Sequence, residues 1–338
     1  MRPSKIFYHC FDTHVRAGGQ KHTYQHVDVL CAHGFDAYIV HDAPGYRLDW
    51  FRNDTRVISR QECEAIIDPG HDYFVIAETV GSDVASYPGR KVIFNKNLYH
   101  GFVTMDTDDE AVDPYVHPEV VSAFAVSEHN AAHLRFAYPG LKVCHVIPGI
   151  DLDRFTFRPI EQKQPQIALI AKASAQLSVL FQMLRARMES GANQLANFSL
   201  VVLNNLTEDE VISVLQESLM LVFLSVQEGL GRLVVEAQAC GCLPIAYRAG
   251  PLLETLPAGW GIEYGDHLAA ARQIEAIAAS WPHDLARWRD ATTAGRELAQ
   301  RYSLDRQSRS VVDAWREILA MQDAAPVGTE PGYSSPAR

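Results

Sequence analysis

Residues 219–246 read LMLVFLSVQEGLGRLVVEAQACGCLPIA, and the order of apolar and small residues within them sets the fold class. LMLVFLS (219–225) is an unbroken apolar run of strand length, as expected of a strand covered on both faces. VQEGLG follows as a glycine-rich exit. A helix is predicted from about Arg232 through RLVVEAQAC, stopped by Gly241, and LPIAY (243–247) is a further strand. Strand, helix and strand in this order make a unit of a parallel α/β sheet. Glycines at a strand-to-helix turn let the backbone approach a ligand, and the helix start offers N–H groups and partial positive charge. The dinucleotide fingerprint fails, because its third glycine would fall at Val234. The P-loop fails too, because no Gly-Lys-Ser/Thr follows. On its glycines alone the turn fits an ordinary strand–helix connection equally well. The glutamates shift that balance. Glu228, just ahead of the helix, is electrostatically comfortable there. Glu236 lies two turns on among Val234, Val235 and Ala237, and a buried carboxylate requires a partner. A pair of sugar or ribose hydroxyls is a good one, since one carboxylate accepts two hydrogen bonds.

The same alternation runs outward along the chain. KIFYHC (5–10), DAYIVH (36–41), DYFVIAE (72–78), KVIFN (91–95), AFAVS (123–127) and KVCHVIP (142–148) are predicted strands. FDTHVRAGGQ (11–20) is a glycine-containing loop, and KHTYQHVDVLCAHGF is a helix ended at Gly34. SEHNAAHLRFAY is a helix with Ser127 as its N-cap. IPGIDLDRFTFRPIEQKQPQ (147–166) is rich in proline and charge, weak in periodicity, and reads as a linker. Beyond it IALIA (167–171) and FSLVVLN (198–204) are strands. QLSVLFQMLRARMES is a helix closed by Gly191. TEDEVISVLQES is another, opened by the capping box Thr207-x-x-Glu210 with an apolar stripe at Val211, Leu215 and Leu219. Residues 284–321 read as nearly all helix, with Val311, Trp315, Ile318 and Leu319 on one face. The fold class is therefore α/β, with two Rossmann-like doubly wound domains, 1–150 and 151–320, and a small, polar, Pro/Gly-rich tail at 321–338 expected to be disordered. Ligands of such sheets sit outside the carboxyl ends of the strands, so both glycine turns are expected to face one cleft.

Composition narrows the function classes. A length of 338 residues exceeds what one core usually fills, which again implies two domains. The formal net charge of −11 argues against a partner held by phosphate neutralisation, so no nucleic acid is expected. A small anion in a locally positive pocket remains compatible. None of the six cysteines forms a Cys-x-x-Cys pair, and free thiols are expected rather than a disulfide framework or zinc knuckle. The N-terminal MRPSKIFYHCFDTH has no signal-peptide core, and no apolar run spans a bilayer. A cytoplasmic location is expected, with peripheral contact at the inner membrane face compatible with it.

At EGLGRLVVEAQACGCLPIA, followed by GPLLE (250–254), the chain resembles the donor-binding signature of retaining GT-B glycosyltransferases, the family-4-like group 1 enzymes. VIPGIDLDRF (146–155) resembles their interdomain hinge. GGQ with VDVLCAHGFDAYIV resembles their N-terminal glycine turn and first helix, and FAVSEHNAAHL a further N-domain segment. RYSLDRQSRSVVDAWREIL resembles their last helix, which crosses back to the first domain. The resemblance covers the chain to about residue 320. It implies that Glu236 holds the nucleotide ribose and that Glu228 contacts hydroxyls of the transferred sugar. Gly229, Leu230 and Gly231 would offer backbone N–H groups to the diphosphate or sugar. Gly18 and Gly19, with Gln20, would bring the N-terminal turn against diphosphate and acceptor. It also implies retention of configuration, no metal, no cofactor beyond the nucleotide-sugar donor, and a leaving diphosphate that helps deprotonate the acceptor. The family's second domain starts with a strand ending in Arg, followed shortly by Lys. Here Lys172 is kept and Ala171 precedes it, so Arg232 is a candidate for the missing charge. The N-domain histidine near the sugar has three candidates: strand-end position favours Asn95 or Asn97, and chemistry favours His100.

Other constellations weigh less. His22 and His26 have metal-ligand spacing on a helix, but no third ligand is evident. MDTDDEAVD (105–113) lacks the glycine and final Glu of a calcium loop and reads as a solvated loop. The expected activity is sugar transfer from a nucleotide-diphosphate sugar to a glycan, lipid-linked glycan or protein, in surface polysaccharide or glycoconjugate synthesis. Two alternatives stand beside it: a GT-B-like binding subunit with reduced or lost catalysis, motivated by Ala171, and a nucleotide-sugar epimerase. Acceptor loops are expected at 42–70 and 99–118.

Overall fold

The computed structural model describes residues 2–103, 113–170, 175–191, 194–281 and 283–324. Among these, the strands form two parallel sheets. The first contains β1 (Lys5–His9), β2 (Asp36–His41), β3 (Val57–Ser59), β4 (Tyr73–Ala77), β5 (Arg90–Asn95), β6 (Val120–Ala125) and β7 (Lys142–His145), in spatial order β3-β2-β1-β4-β5-β6-β7. Its helices are α1 (Gly18–Ala32), α2 (Arg60–Ile66), α3 (Leu98–Val103) and α4 (Glu128–Ala137). The order reverses between β1 and β4, so their carboxyl ends open onto a crevice. The second sheet has the order β11-β10-β8-β9, from β8 (Gln164–Ile170), β9 (Ser199–Leu203), β10 (Ser218–Phe223) and β11 (Leu243–Ala246). It reverses between β8 and β10. Helices α5 (Ala175–Glu189), α6 (Glu208–Glu217), α7 (Arg232–Ala239), α8 (Leu252–Thr255), α9 (His267–Ser280) and α10 (Leu285–Ala299) accompany it.

Every residue of β4 and β10 is buried, which is why both read as continuous apolar runs rather than as alternating ones. The last helix, α11 (Leu304–Ala324), leaves the second sheet and packs against α1 and β7 of the first. Its Trp315 is fully buried among Tyr8, Tyr73 and Phe124, and donates from Nε1 to the Tyr8 hydroxyl at 2.8 Å. The crossover is therefore part of the first domain's core.

Several elements depart from the sequence reading. The predicted loop 11–20 ends early, because Gly18, Gly19 and Gln20 form the first turn of α1. Ala17 is extended, and the Gln20 side chain accepts its N–H at 3.3 Å, a half capping box that starts the helix despite two glycines. Leu219 belongs to β10, since α6 stops at Glu217. β3 and α2 are short and carry little periodicity. α11 continues to Ala324, four residues into the stretch expected to be disordered, and the rest of that stretch lies outside the described residues. The acidic run 105–113 also lies outside them except for Asp113, whose carboxylate accepts the Tyr115 N–H.

Candidate active site

A cleft of about 970 Å3 lies between the carboxyl ends of the two sheets. Its second-domain wall is the turn between β10 and α7. Gly229 is pressed so closely against the first domain that a Cβ there would overlap the Lys96 carbonyl oxygen. Gly231 takes the left-handed conformation (φ 81°, ψ 44°) as the N-cap of α7, and a Cβ would overlap Leu252. Lacking a side chain, Gly231 leaves the first N–H groups of α7 without a side-chain cap, turned toward the cleft. Glu228 lines the cleft and accepts a 2.7 Å hydrogen bond from Ser225 Oγ.

Glu236 has the partner its position requires. Arg232 Nε donates to its Oε1 at 2.8 Å, one helical turn away. Burial pushes the Glu236 carboxyl above its ordinary range, and the Arg232 guanidinium opposes that shift. Arg232 also reaches Gln25 Oε1 at 3.4 Å, while its NH2 is buried without a hydrogen-bond partner among the described residues. The guanidinium thus spans the two walls with donor capacity to spare.

The opposite wall is the first turn of α1, where Ala17 has no side chain able to accept the leading N–H groups. Gly18 faces the Arg232 stem, and Gly19 lies under the Lys96 stem. Two helix N-termini and two cationic side chains consequently converge on one space. That is the electrostatic setting for a dianionic group whose charge grows during reaction. Among the described residues the sequence candidates Glu228, Glu236, Gly229, Leu230, Gly231, Arg232, Gly18, Gly19, Gln20, Asn97 and His100 all line this cleft. Lys172 and Ala171 lie outside the described residues. Asn95 is absent from the lining. It is fully buried, donates to Tyr115 OH at 2.7 Å and accepts from Asn130 at 3.0 Å. Asn97 donates to the Gln227 carbonyl at 2.9 Å and so ties the first domain to the glycine turn, whereas His100 is exposed on the cleft wall.

Lys96 and Glu78 were not among the sequence candidates. Each stands just past the carboxyl end of a strand, β5 and β4 respectively, and both line the cleft. The readable signal was the first charged residue beyond a buried strand. His22 and His26 are bound to each other, Nε2 to Nε2 at 3.1 Å, within a directed chain. His22 bonds the Ile147 carbonyl, which only a ring N–H can do, so the Nε2 of a neutral His22 accepts from His26 Nε2–H, and His26 Nδ1 accepts at 3.2 Å from the Tyr8 hydroxyl, which in turn accepts from Trp315. Both imidazoles are neutral in this arrangement. Burial drives His22 well below its ordinary value and His26 to about 3.

Residues 187–292 match the model of the family described as Glycosyl transferases group 1. No curated protein sequence matches the chain. Solved structures match over nearly its whole length. Sucrose-phosphate synthase from Thermosynechococcus elongatus is 15% identical over 94% of this chain and 100% of its own, with a TM-score of 0.66. A glycosyltransferase from Rickettsia africae is 16% identical over 94% of this chain and 99% of its own, with a TM-score of 0.65. The Anabaena protein HepE, solved in complex with UDP and glucose, is 12% identical over 93% of this chain and 100% of its own, with a TM-score of 0.62. The chain has the GT-B fold of two parallel α/β domains, and its second domain carries the group 1 glycosyltransferase match.

Proposed function

We propose that this protein is a glycosyltransferase that moves a sugar from a nucleotide-diphosphate sugar to a hydroxyl-bearing acceptor, with retention of configuration and without a metal. One observation carries the reading: the uncapped starts of α1 and α7, with Lys96 and Arg232, converge on the cleft that Glu228 and Glu236 also line. The diphosphate would sit between the two helix starts. Positive charge there favours departure of the nucleoside diphosphate, because negative charge accumulates on it as the bond to sugar C1 breaks. Glu228 would accept hydrogen bonds from the transferred sugar. Glu236 would bind the ribose through the carboxylate that Arg232 already orients. UDP is the first nucleotide to try, since HepE was solved with UDP and glucose. A cytoplasmic role in polysaccharide or glycoconjugate assembly belongs to the same proposal.

The test is UDP release from UDP-glucose with a panel of sugar and glycolipid acceptors, with products identified by mass. Transfer by the wild type, reduced about a hundredfold or more in Glu228→Ala, is expected. Binding of UDP-glucose without turnover on any acceptor would favour the reading as a binding subunit. Conversion of the donor to an epimer without an acceptor would favour the epimerase.

A further inference from the structure

We propose that Phe11 is the platform on which the acceptor stacks, and that the group held there is a pyranose ring rather than a lipid chain. This rests on the donor reading above and adds the acceptor's half of the site. β1 ends at His9, and Phe11 stands two residues beyond it, at the reversal point between β1 and β4 where ligands of such sheets are met. Phe11 lines the cleft and is 43% exposed. Lys96 lies close enough for its charge to act on the Cys10 thiol, and its stem covers Gly19. Phe11 therefore borders the space between the two helix starts that the diphosphate would fill.

A single exposed apolar side chain is ordinary on a protein surface. The bonds around this one fix it in place inside a cleft. The Phe11 ring meets His9 at a steep angle, with centroids 4.8 Å apart. His9 is itself held by Asp42 at 3.4 Å and by the Tyr87 hydroxyl at 3.2 Å. The next residue, Asp12, accepts from His41 Nδ1 at 2.8 Å and from the N–H groups of Asp42 and Ala43 at 3.3 and 2.7 Å. Thr13 donates its N–H to the Tyr46 hydroxyl at 3.0 Å, and that hydroxyl donates back to the Thr13 carbonyl at 2.7 Å. Ring and backbone are thus set before a ligand arrives, so little ordering cost is left for binding.

The chemistry of the surroundings selects the ligand. The face of a phenyl ring carries the negative end of its quadrupole. A pyranose presents a patch of C–H groups made electropositive by the attached oxygens, with hydroxyls around its edge. Polar side chains suit that edge: His14 and Thr79 are exposed in the same cleft. Thr79 stands two residues past β4, the strand that pairs with β1 through Tyr8 and Val75. An acyl chain would need apolar surface continuing beyond the ring, and Asp12, Thr13 and His14 follow it instead. Stacking would hold the sugar by its C–H face and leave its hydroxyls free to react.

The test uses the full-length protein loaded with UDP, as wild type, Phe11→Ala and Phe11→Trp. The probe is octyl glucoside below its micellar concentration, which offers a pyranose ring and an alkyl chain in one molecule. Saturation-transfer NMR reads which of its protons touch the protein. In wild type the ring C–H protons are expected to be saturated. Phe11→Ala is expected to bind the glucoside about tenfold more weakly, and Phe11→Trp no more weakly than wild type. UDP is expected to bind all three forms within about threefold. Five results would overturn the proposal. Equal glucoside binding by wild type and Phe11→Ala would remove Phe11 from the site. Saturation confined to the alkyl protons would assign the ring to a lipid chain. Loss of UDP affinity in Phe11→Ala would make it a nucleotide contact, or a structural one if the melting temperature fell as well. A wild type that binds UDP but saturates no proton of the glucoside has no pyranose platform. Failure of every form, wild type included, to bind UDP would sink the donor reading itself, and this proposal with it.

Discussion

Gly229 concentrates the cost of the design in one residue. Its Cα abuts the Lys96 carbonyl, so Gly229→Ala must separate the turn from the first domain. Binding of UDP by this variant is expected to weaken at least about tenfold, as a displaced catalytic turn does; calorimetry reads this directly. Glu78 gives a prediction of opposite sign for stability. Its folded carboxyl sits above the unfolded value, so its contribution is most favourable below the unfolded value and is lost as pH rises through the folded one. Lys96, His100 and Tyr115 are the ionisable groups facing it. Glu78→Gln is therefore expected to gain melting temperature relative to wild type between acid and neutral pH, and a difference independent of pH would contradict this. At this scale the sequence made Glu236 legible, because an acid among valines needs a partner. It concealed that Arg232, four residues earlier, is that partner. The two side chains meet only once the helix exists.

At the scale of elements, two buried side chains join segments that are far apart in sequence. Lys163 donates to the carbonyls of Leu215 and Gln216 near the end of α6 at 2.9 and 3.0 Å, and to Cys240 at the end of α7 at 2.7 Å. One ammonium thus serves the negative ends of two helices. Burial lowers the Lys163 pKa, and the retained donors show what offsets the desolvation. Lys163→Met is expected to cost about 2–5 kcal/mol, since it leaves buried carbonyls unpaired, read as a lower urea midpoint. Trp315 does the same for α11, joining it to the neutral chain of Tyr8, His26 and His22. Trp315→Ala is expected to cost about 3–5 kcal/mol through the cavity it leaves. Strands and long helices were legible because their apolar periods are strong. The first turn of α1 was not, because two glycines argue locally for a loop and the deciding contact is the Gln20 side chain on the Ala17 N–H.

Across the whole molecule, the two domains are held together on both sides of the cleft. On one side Glu208 at the start of α6 is buried between Lys21 of α1 and Arg154 of the linker, and Arg16 donates to the Asn205 carbonyl at 2.7 Å. On the other, the Glu254 carboxylate accepts the N–H groups of Glu128 at 3.1 Å and His129 at 2.7 Å, so α8 of one domain caps α4 of the other. Glu208→Gln removes the shared partner of two cations, one of them buried. It is expected to open the cleft, seen as a larger radius of gyration by small-angle scattering, and to weaken UDP binding. The two-domain plan and the glycine turn were legible from local pattern. These latches were not, because all of them but the Arg154–Glu208 pair join residues more than a hundred positions apart. Among the described residues no helix is long and apolar enough to cross a membrane. The most direct measurement is a thermal-shift panel of nucleoside diphosphates and their sugars on the wild type. A specific nucleoside diphosphate, and its sugar, is expected to raise the melting temperature with the logarithm of its concentration above Kd, a gain of about 2.7 kcal/mol of stability at a hundred times its Kd. A melting curve unmoved by every member of the panel at millimolar concentration would contradict a donor site at the glycine turn.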